Sequence, residues 1–174
     1  MAHDDGASMM DERNTLFSQK IFADAIELIW REAELLDRKD YREWLTLWDP
    51  AGFYVVPIEP DATDFAATLN YAYDDQDMRE KRVQRMTSGY SASASDAART
   101  VRTVSRFTLT SDASDEVTVN SAQVIVAYKR GKATLFAADL THRIGFASGE
   151  PRIVQKVIRL IDSTDALSAI GFLL

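Results

Sequence analysis

The sequence contains no cysteine and only two histidines, His3 and His142. The first absence removes disulfides, zinc ribbons and any iron–sulfur cluster held by thiolates of this chain. The second removes most of the remaining transition-metal chemistry. Three-histidine sites, two-histidine-one-carboxylate iron sites and Rieske centres each need two or more positioned imidazoles, and His3 stands in a polar tail. Glycine (7) and proline (4) are also scarce, which argues against a low-complexity chain. No apolar run approaches the roughly 20 residues that span a bilayer, and MAHDDGASMM lacks the basic start and apolar stretch of a signal peptide. The expected compartment is therefore the cytoplasm, without membrane contact. Positive charge is in deficit as well: 20 Lys and Arg stand against 27 Asp and Glu, and the net charge of −7 opposes non-specific binding to nucleic acid.

What is present suits one domain. A chain of 174 residues with 46% hydrophobic content can bury roughly two-thirds of its unfolded surface in a single core. We expect a disordered or loosely docked tail over residues 1–14 and one domain over residues 15–174. Phe22, Ile26, Ile29, Ala33 and Leu36 fall at helical spacing and predict a long amphipathic helix. Asp40 and Glu43 fit a capping box opening a short helix that carries Trp44, Leu45 and Trp48 and stops at Asp49-Pro50-Ala51-Gly52. FYVVP then reads as a strand, residues 58–76 as a loop and Met78 to Thr87 as a third helix, followed by the small-residue connector SGYSASASDAA. Thr100–Thr110, Val117–Lys129, Lys132–Ala147 and Arg152–Asp162 are long runs rich in β-branched and aromatic residues, joined by short turns that imply an antiparallel meander. Helices followed by such a sheet predict an α+β fold, a cone-like, strongly curved, mostly antiparallel sheet covered by N-terminal helices.

Three stretches carry a more specific pattern: EAELLDRKDYREWLTLWDPAGFYVVP, YDDQDMREKRVQRMTSG and ARTVRTVSRFTL. Their marks are Glu32-Ala33, Leu36-Asp37, Tyr41 with Trp44-Leu45, Tyr54, Pro57, Asp74-Asp75, Arg82-Val83, Arg85, Arg99-Thr100, Arg102 and Val104-Ser105. In order and spacing the chain resembles the small (β) subunit of aromatic-ring-hydroxylating, Rieske-type dioxygenases. Many relatives carry a proline where this chain has SASDAA. The resemblance implies a nuclear-transport-factor-2-like (cystatin-like) cone and an assembly of three large and three small subunits. It implies that the Rieske [2Fe-2S] cluster and mononuclear Fe(II) sit in the large subunit, with no cofactor or metal in this chain. Electrons would come from NAD(P)H through a ferredoxin or reductase, with O2 added to an aromatic ring. The small subunit would then be a non-catalytic scaffold for the catalytic trimer, with influence on substrate range in some members.

Several residues remain open to two readings. Asp74, Asp75 and Asp77 have the oxygen donors of a hard-cation site but lack the glycine and closing glutamate of a calcium loop. Asp77 with Glu80 has capping-box spacing, so a helix start is the simpler reading, with i,i+4 pairs from Asp75 to Arg79 and from Asp77 to Lys81. Strand alternation places His142 on one face with Leu140 and Ile144. There it is a hydrogen-bonded sheet residue or partner contact, or a general base if an inward acid pairs with it. The basic set Arg82, Arg85, Arg99 and Arg102 suits either internal ion pairs or docking to a partner's carboxylates. Trp48, Phe172 and Leu174 are core residues or interface anchors. The expected subunit interface therefore comprises Trp48, Arg82, Arg85, Arg99, Arg102, His142, Phe172 and Leu174, facing the large subunit or other copies of the chain. The alternatives are a stand-alone isomerase or dehydratase of the same fold and a small-molecule binding module.

Overall fold

A computed structural model describes residues 5–88, 97–112, 115–165 and 170–174. The element order is α1 (Asp5–Arg38), α2 (Tyr41–Leu45), β1 (Trp48–Pro57), β2 (Asn70–Asp74), α3 (Gln76–Thr87), β3 (Arg99–Asp112), β4 (Glu116–Lys129), β5 (Lys132–Gly145) and β6 (Arg152–Leu160). The six strands form one sheet in the order β2-β1-β6-β5-β4-β3. The expected α+β cone is what the chain adopts. Four long strands match the expected runs to within a few residues, because their apolar and polar side chains alternate with period two. Among the described residues no helix is long and apolar enough to cross a membrane. The segments 1–4 and 166–169 and most of the connector SGYSASASDAA lie outside the described residues.

Local details depart from expectation. The first helix runs from Asp5, upstream of Asn14, across a stretch free of proline. Its buried stripe runs through Ile21, Ala25, Leu28, Ile29, Glu32, Leu35 and Leu36, so Phe22, Ile26 and Ala33 flank that stripe and do not centre it. Asp40 makes no side-chain capping bond, and the Glu43 side chain pairs instead with Arg31, 2.7 Å away. The second helix ends before Trp48, which begins β1. Residues 70–74 form a strand inside the stretch expected to be loop, antiparallel to β1.

The pairing of β1 with β6 is parallel, joining side by side the strands that come first and last along the chain. The two come close enough that a Cβ on Gly52 would lie 2.8 Å from the Ile153 carbonyl oxygen, so only glycine fits there without displacement. On the inner face, Tyr54, Ile125, Leu140, Ile144, Ile153 and Ile158 pack against α1 and α2 in one core. On the outer face, Arg159 donates to the Pro60 and Ala62 carbonyl oxygens at 3.0 and 3.1 Å. These bonds tie the β1–β2 connection down over that face, where Val55 and Val157 are buried.

Candidate functional site

The inner face of the cone carries a buried polar cluster in the middle of the apolar core. α1 contributes Glu32, whose side chain is 2% exposed, and β5 contributes His142, which is fully buried. Glu32 lies within the helix's buried stripe, and His142 shares the inner phase of its strand with Leu140 and Ile144. The His142 Nε2 lies 3.1 Å from Glu32 Oε2. Lys156, inward on β6, places its Nζ 3.1 Å from Glu32 Oε1, and the Trp44 indole Nε1 donates to the same oxygen at 3.0 Å. One carboxylate is thereby met by an ammonium, an imidazole and an indole, the full set of partners a buried charge requires.

The electrostatics follow from that geometry. Burial alone would raise the Glu32 carboxyl. Lys156, the hydrogen bond and charge of His142, and the Trp44 bond together outweigh it and hold the group down to about 2. Burial pushes His142 below its ordinary value against the pull of Glu32, so the imidazole is neutral and donates Nε2–H to the carboxylate. Its Nδ1 is buried without a hydrogen-bond partner. Burial also lowers Lys156, with Glu32 acting the other way.

The cone is closed by the chain itself. Phe172, Leu173 and Leu174 are buried against the core, and Phe172 meets the Phe136 ring edge-on at 5.4 Å between centroids. Lys156 Nζ donates to the Leu174 backbone oxygen at 2.9 Å, and the Leu174 N–H donates to the Tyr54 hydroxyl at 3.1 Å. Arg102 Nη2 donates to the Leu173 carbonyl oxygen at 3.1 Å, while its Nε reaches Asp37 at 2.8 Å.

The aspartate cluster divides its duties among three partners. Asp74 is buried and accepts from Arg82, with Nη2 to Oδ1 at 3.0 Å; that hydrogen bond is the main cause raising the Arg82 guanidinium. Asp75, not Asp77, is the helix cap, accepting the Met78 N–H at 2.9 Å. Asp77 pairs with Lys81 in an i,i+4 bridge. The expected Asp75–Arg79 pair gives way to an inward Arg79, whose guanidinium stacks over Trp48 at 4.4 Å and donates to the backbone of Gly52 and Asp74. No group of three His, Cys, Asp or Glu side chains able to hold a metal ion occurs among the described residues.

The outer face is different. Val101, Val126 and Leu135 are directly opposite one another across β3, β4 and β5. Val101 and Leu135 are 69% and 68% exposed, and Val124 and Tyr128 extend the patch. Arg99 sits opposite Tyr128 at its edge. Leaving several large apolar side chains side by side in water is unusual for an isolated chain.

Of the residues expected at an interface, Trp48, Arg102, His142, Phe172 and Leu174 are buried within the chain itself. Arg82 is half-buried on Asp74, while Arg85 and Arg99 are exposed. The surface patch and Glu32 went unassigned in the sequence, although both leave signals there. QVIVAY is apolar in both strand phases, as expected of a strand covered on both faces. Glu32 is the acid inside a buried helical stripe.

Residues 31–165 match the family described as ring hydroxylating beta subunit. The small oxygenase component of the p-cumate 2,3-dioxygenase system of Pseudomonas putida is 29% identical over 132 residues, covering 75% of this chain and 73% of that one. The beta subunit of the benzoate 1,2-dioxygenase from Burkholderia mallei superposes with a TM-score of 0.70 at 23% identity, over 87% of this chain and 96% of that one. A nuclear-transport-factor-2-like protein with a cystatin-like fold from Novosphingobium aromaticivorans gives 0.63 at 17% identity, over 95% and 96%. The structural likenesses establish the cone, and the family match establishes the lineage: this chain belongs to the ring hydroxylating beta subunit family.

Proposed function

We propose that the chain is the non-catalytic small subunit of a multicomponent aromatic-ring-hydroxylating dioxygenase, stabilising the large catalytic subunits through the outer face of β3, β4 and β5. The observation that carries this reading is the exposed cross-strand row of Val101, Val126 and Leu135. The chain covers the neighbouring part of the same face with its own β1–β2 connection and leaves this part open. The proposed occupant is the large subunit. A basic edge at Arg99 suits carboxylates on that partner, and the apolar centre supplies the buried area. The exposed Arg85, on α3 beside β1 and β2, is a separate candidate contact away from this row. Trp30, 56% exposed and edge-on to Phe107 at 5.7 Å, is a second aromatic anchor of the kind interfaces use.

The Rieske cluster and mononuclear iron that the family implies do not fit this chain's donors. It has no thiolate, and the imidazole of His142 is committed to Glu32 in a closed interior. They belong in this reading to the large subunit, with O2 and NAD(P)H-derived electrons delivered there. The stand-alone isomerase or dehydratase reading gains one requirement, since Glu32 is an inward acid paired with His142. With Ile170–Leu174 docked, that pair is fully buried in the same core as Leu173 and Leu174, so the enzyme reading would also need that segment to leave.

Co-expression with the large subunit, followed by size-exclusion chromatography, tests the proposal. The wild-type chain co-elutes, and Leu135→Asp abolishes co-elution while leaving the circular dichroism of the small subunit unchanged. Undiminished co-elution of that variant would sink the assignment of this face to the large subunit. If Leu135→Asp instead breaks only an association of small subunits, the occupant is a second copy.

A further inference from the structure

The filling of the cone has a feature that simple core packing does not require. Ile170–Leu174 is held by polar groups aimed at its backbone as well as by apolar contact. Lys156 reaches the Leu174 oxygen at 2.9 Å, the Tyr54 hydroxyl takes the Leu174 N–H at 3.1 Å, and Arg102 reaches the Leu173 oxygen at 3.1 Å. All three stand on strands of the sheet, so the wall is built by rigid elements, and its occupant is a short stretch of irregular chain. The wall also has hydrogen-bonding capacity that the occupant leaves unused. His142 Nδ1, Ser121 Oγ and Arg102 Nη1 are buried on the same inner face, and none has a hydrogen-bond partner. An ammonium and a guanidinium donate to backbone oxygens, and the Tyr54 hydroxyl, which takes the Leu174 N–H, also lies 3.5 Å from the Leu174 oxygen as a donor. Beside apolar walls that take leucine side chains, they form a receptor for an aliphatic body carrying an acceptor oxygen.

We propose that the interior of the cone is a binding site for a small branched aliphatic carboxylate or amide, and that Ile170–Leu174 is its displaceable resident occupant. A molecule of this class reproduces what Leu174 offers, a branched side chain and an oxygen for Lys156 and Tyr54. Binding and docking of the segment are then mutually exclusive, so the ligand releases Ile170–Leu174 from the core. The inverse holds by linkage: whatever captures the released segment opens the site.

The chain's lack of cysteine makes the test direct, because Leu174→Cys creates its single thiol. The full-length variant is reacted with a chromogenic disulfide reagent while 4-methylpentanoate or 4-methylpentanamide is titrated in. With the segment docked, the thiol reacts slowly compared with the same protein in urea. A ligand that binds the open cone raises the open fraction by 1 + [L]/Kd, about tenfold at ten times Kd. A saturable rise with either probe supports the proposal; a response to the acid alone assigns the ligand as an anion, and one to the amide alone as a neutral oxygen. Tyr54→Phe and Lys156→Met are each expected to weaken the response severalfold. If Lys156→Met fails to fold, Tyr54→Phe carries the comparison, alongside the ligand-dependent fluorescence of Trp44 and Trp48 in the unmutated chain. A labelling rate independent of both probes, or an acceleration that Tyr54→Phe leaves intact, overturns the proposal.

Discussion

Replacing Glu32 by glutamine isolates the charge of the inner cluster with almost no change of shape. The amide still offers an oxygen to the Trp44 indole and to Lys156, but it no longer balances the ammonium. Removing one partner of a buried ion pair costs about 3–5 kcal/mol, because the other charge is left without compensation. The native carboxyl gives a second, independent magnitude. Its descent from 4.5 to about 2 corresponds to about 3 kcal/mol of stability at 1.36 kcal/mol per unit. The sign is that of a depressed acid. The contribution is complete above about pH 4.5 and disappears as pH falls toward about 2. His142, depressed by burial, adds loss of stability below about pH 6.5, because the unfolded chain binds a proton that the folded one refuses. Urea unfolding followed by tryptophan fluorescence at a series of pH values measures both effects. Glu32→Gln should lower stability by about 3–5 kcal/mol at pH 7 and flatten the acid limb below about pH 4.5, and the double variant Glu32→Gln/Lys156→Met should recover part of the loss. A single variant within about 1 kcal/mol of the wild type at pH 7, or one with an unchanged acid limb, would refute the ion-pair account.

Asp75→Ala removes the side-chain cap of α3 and should cost about 1 kcal/mol in urea unfolding, whereas Asp77→Ala, which loses only an exposed pair, should cost less than about 0.5 kcal/mol. Gly52→Ala places a methyl group against the Ile153 carbonyl across the β1–β6 pair, and a loss of about 1–3 kcal/mol is expected from the same assay. Arg85→Glu reverses an exposed charge, so stability should stay within about 0.5 kcal/mol while co-elution with the large subunit weakens and becomes less dependent on salt.

The legible part of this fold is the part written in local period. β3 to β6 alternate over long runs, so their existence follows from side-chain direction, and their antiparallel order from the short turns between them. β2 has only five residues, amid Thr, Asp and Ala of loop-like composition, and it is made by pairing with β1, which no local pattern records. The aspartates at 74, 75 and 77 announce a helix start, but each is a competent cap; the choice fell to Asp75 because Arg82 takes Asp74. Arg102 and His142 follow the same logic as the core. Their strand phase turns them inward, and a buried charge or imidazole then needs a partner from elsewhere, supplied by Asp37 and Glu32 in α1. The partners lie 65 and 110 positions away, beyond the reach of motif spacing. The outer patch was hidden for a different reason: an apolar side chain on a strand reads the same whether its own chain or another molecule covers it.

The parallel pairing of β1 with β6 has a consequence for how the subunit is made. Glu32 is synthesised long before His142 and Lys156, and β1 lacks one of its two neighbours until residues 152–160 are available. Early segments therefore cannot bank stability as they leave the ribosome; α1 would hold a buried acid with no counter-charge, and β1 an unpaired edge. Such a topology postpones cooperative folding until nearly the whole chain exists, in keeping with the slow closure of non-local sheets. The exposed apolar row on β3, β4 and β5 then forms together with the core, and if that face is the interface proposed above, a partner meets it only once the chain has folded.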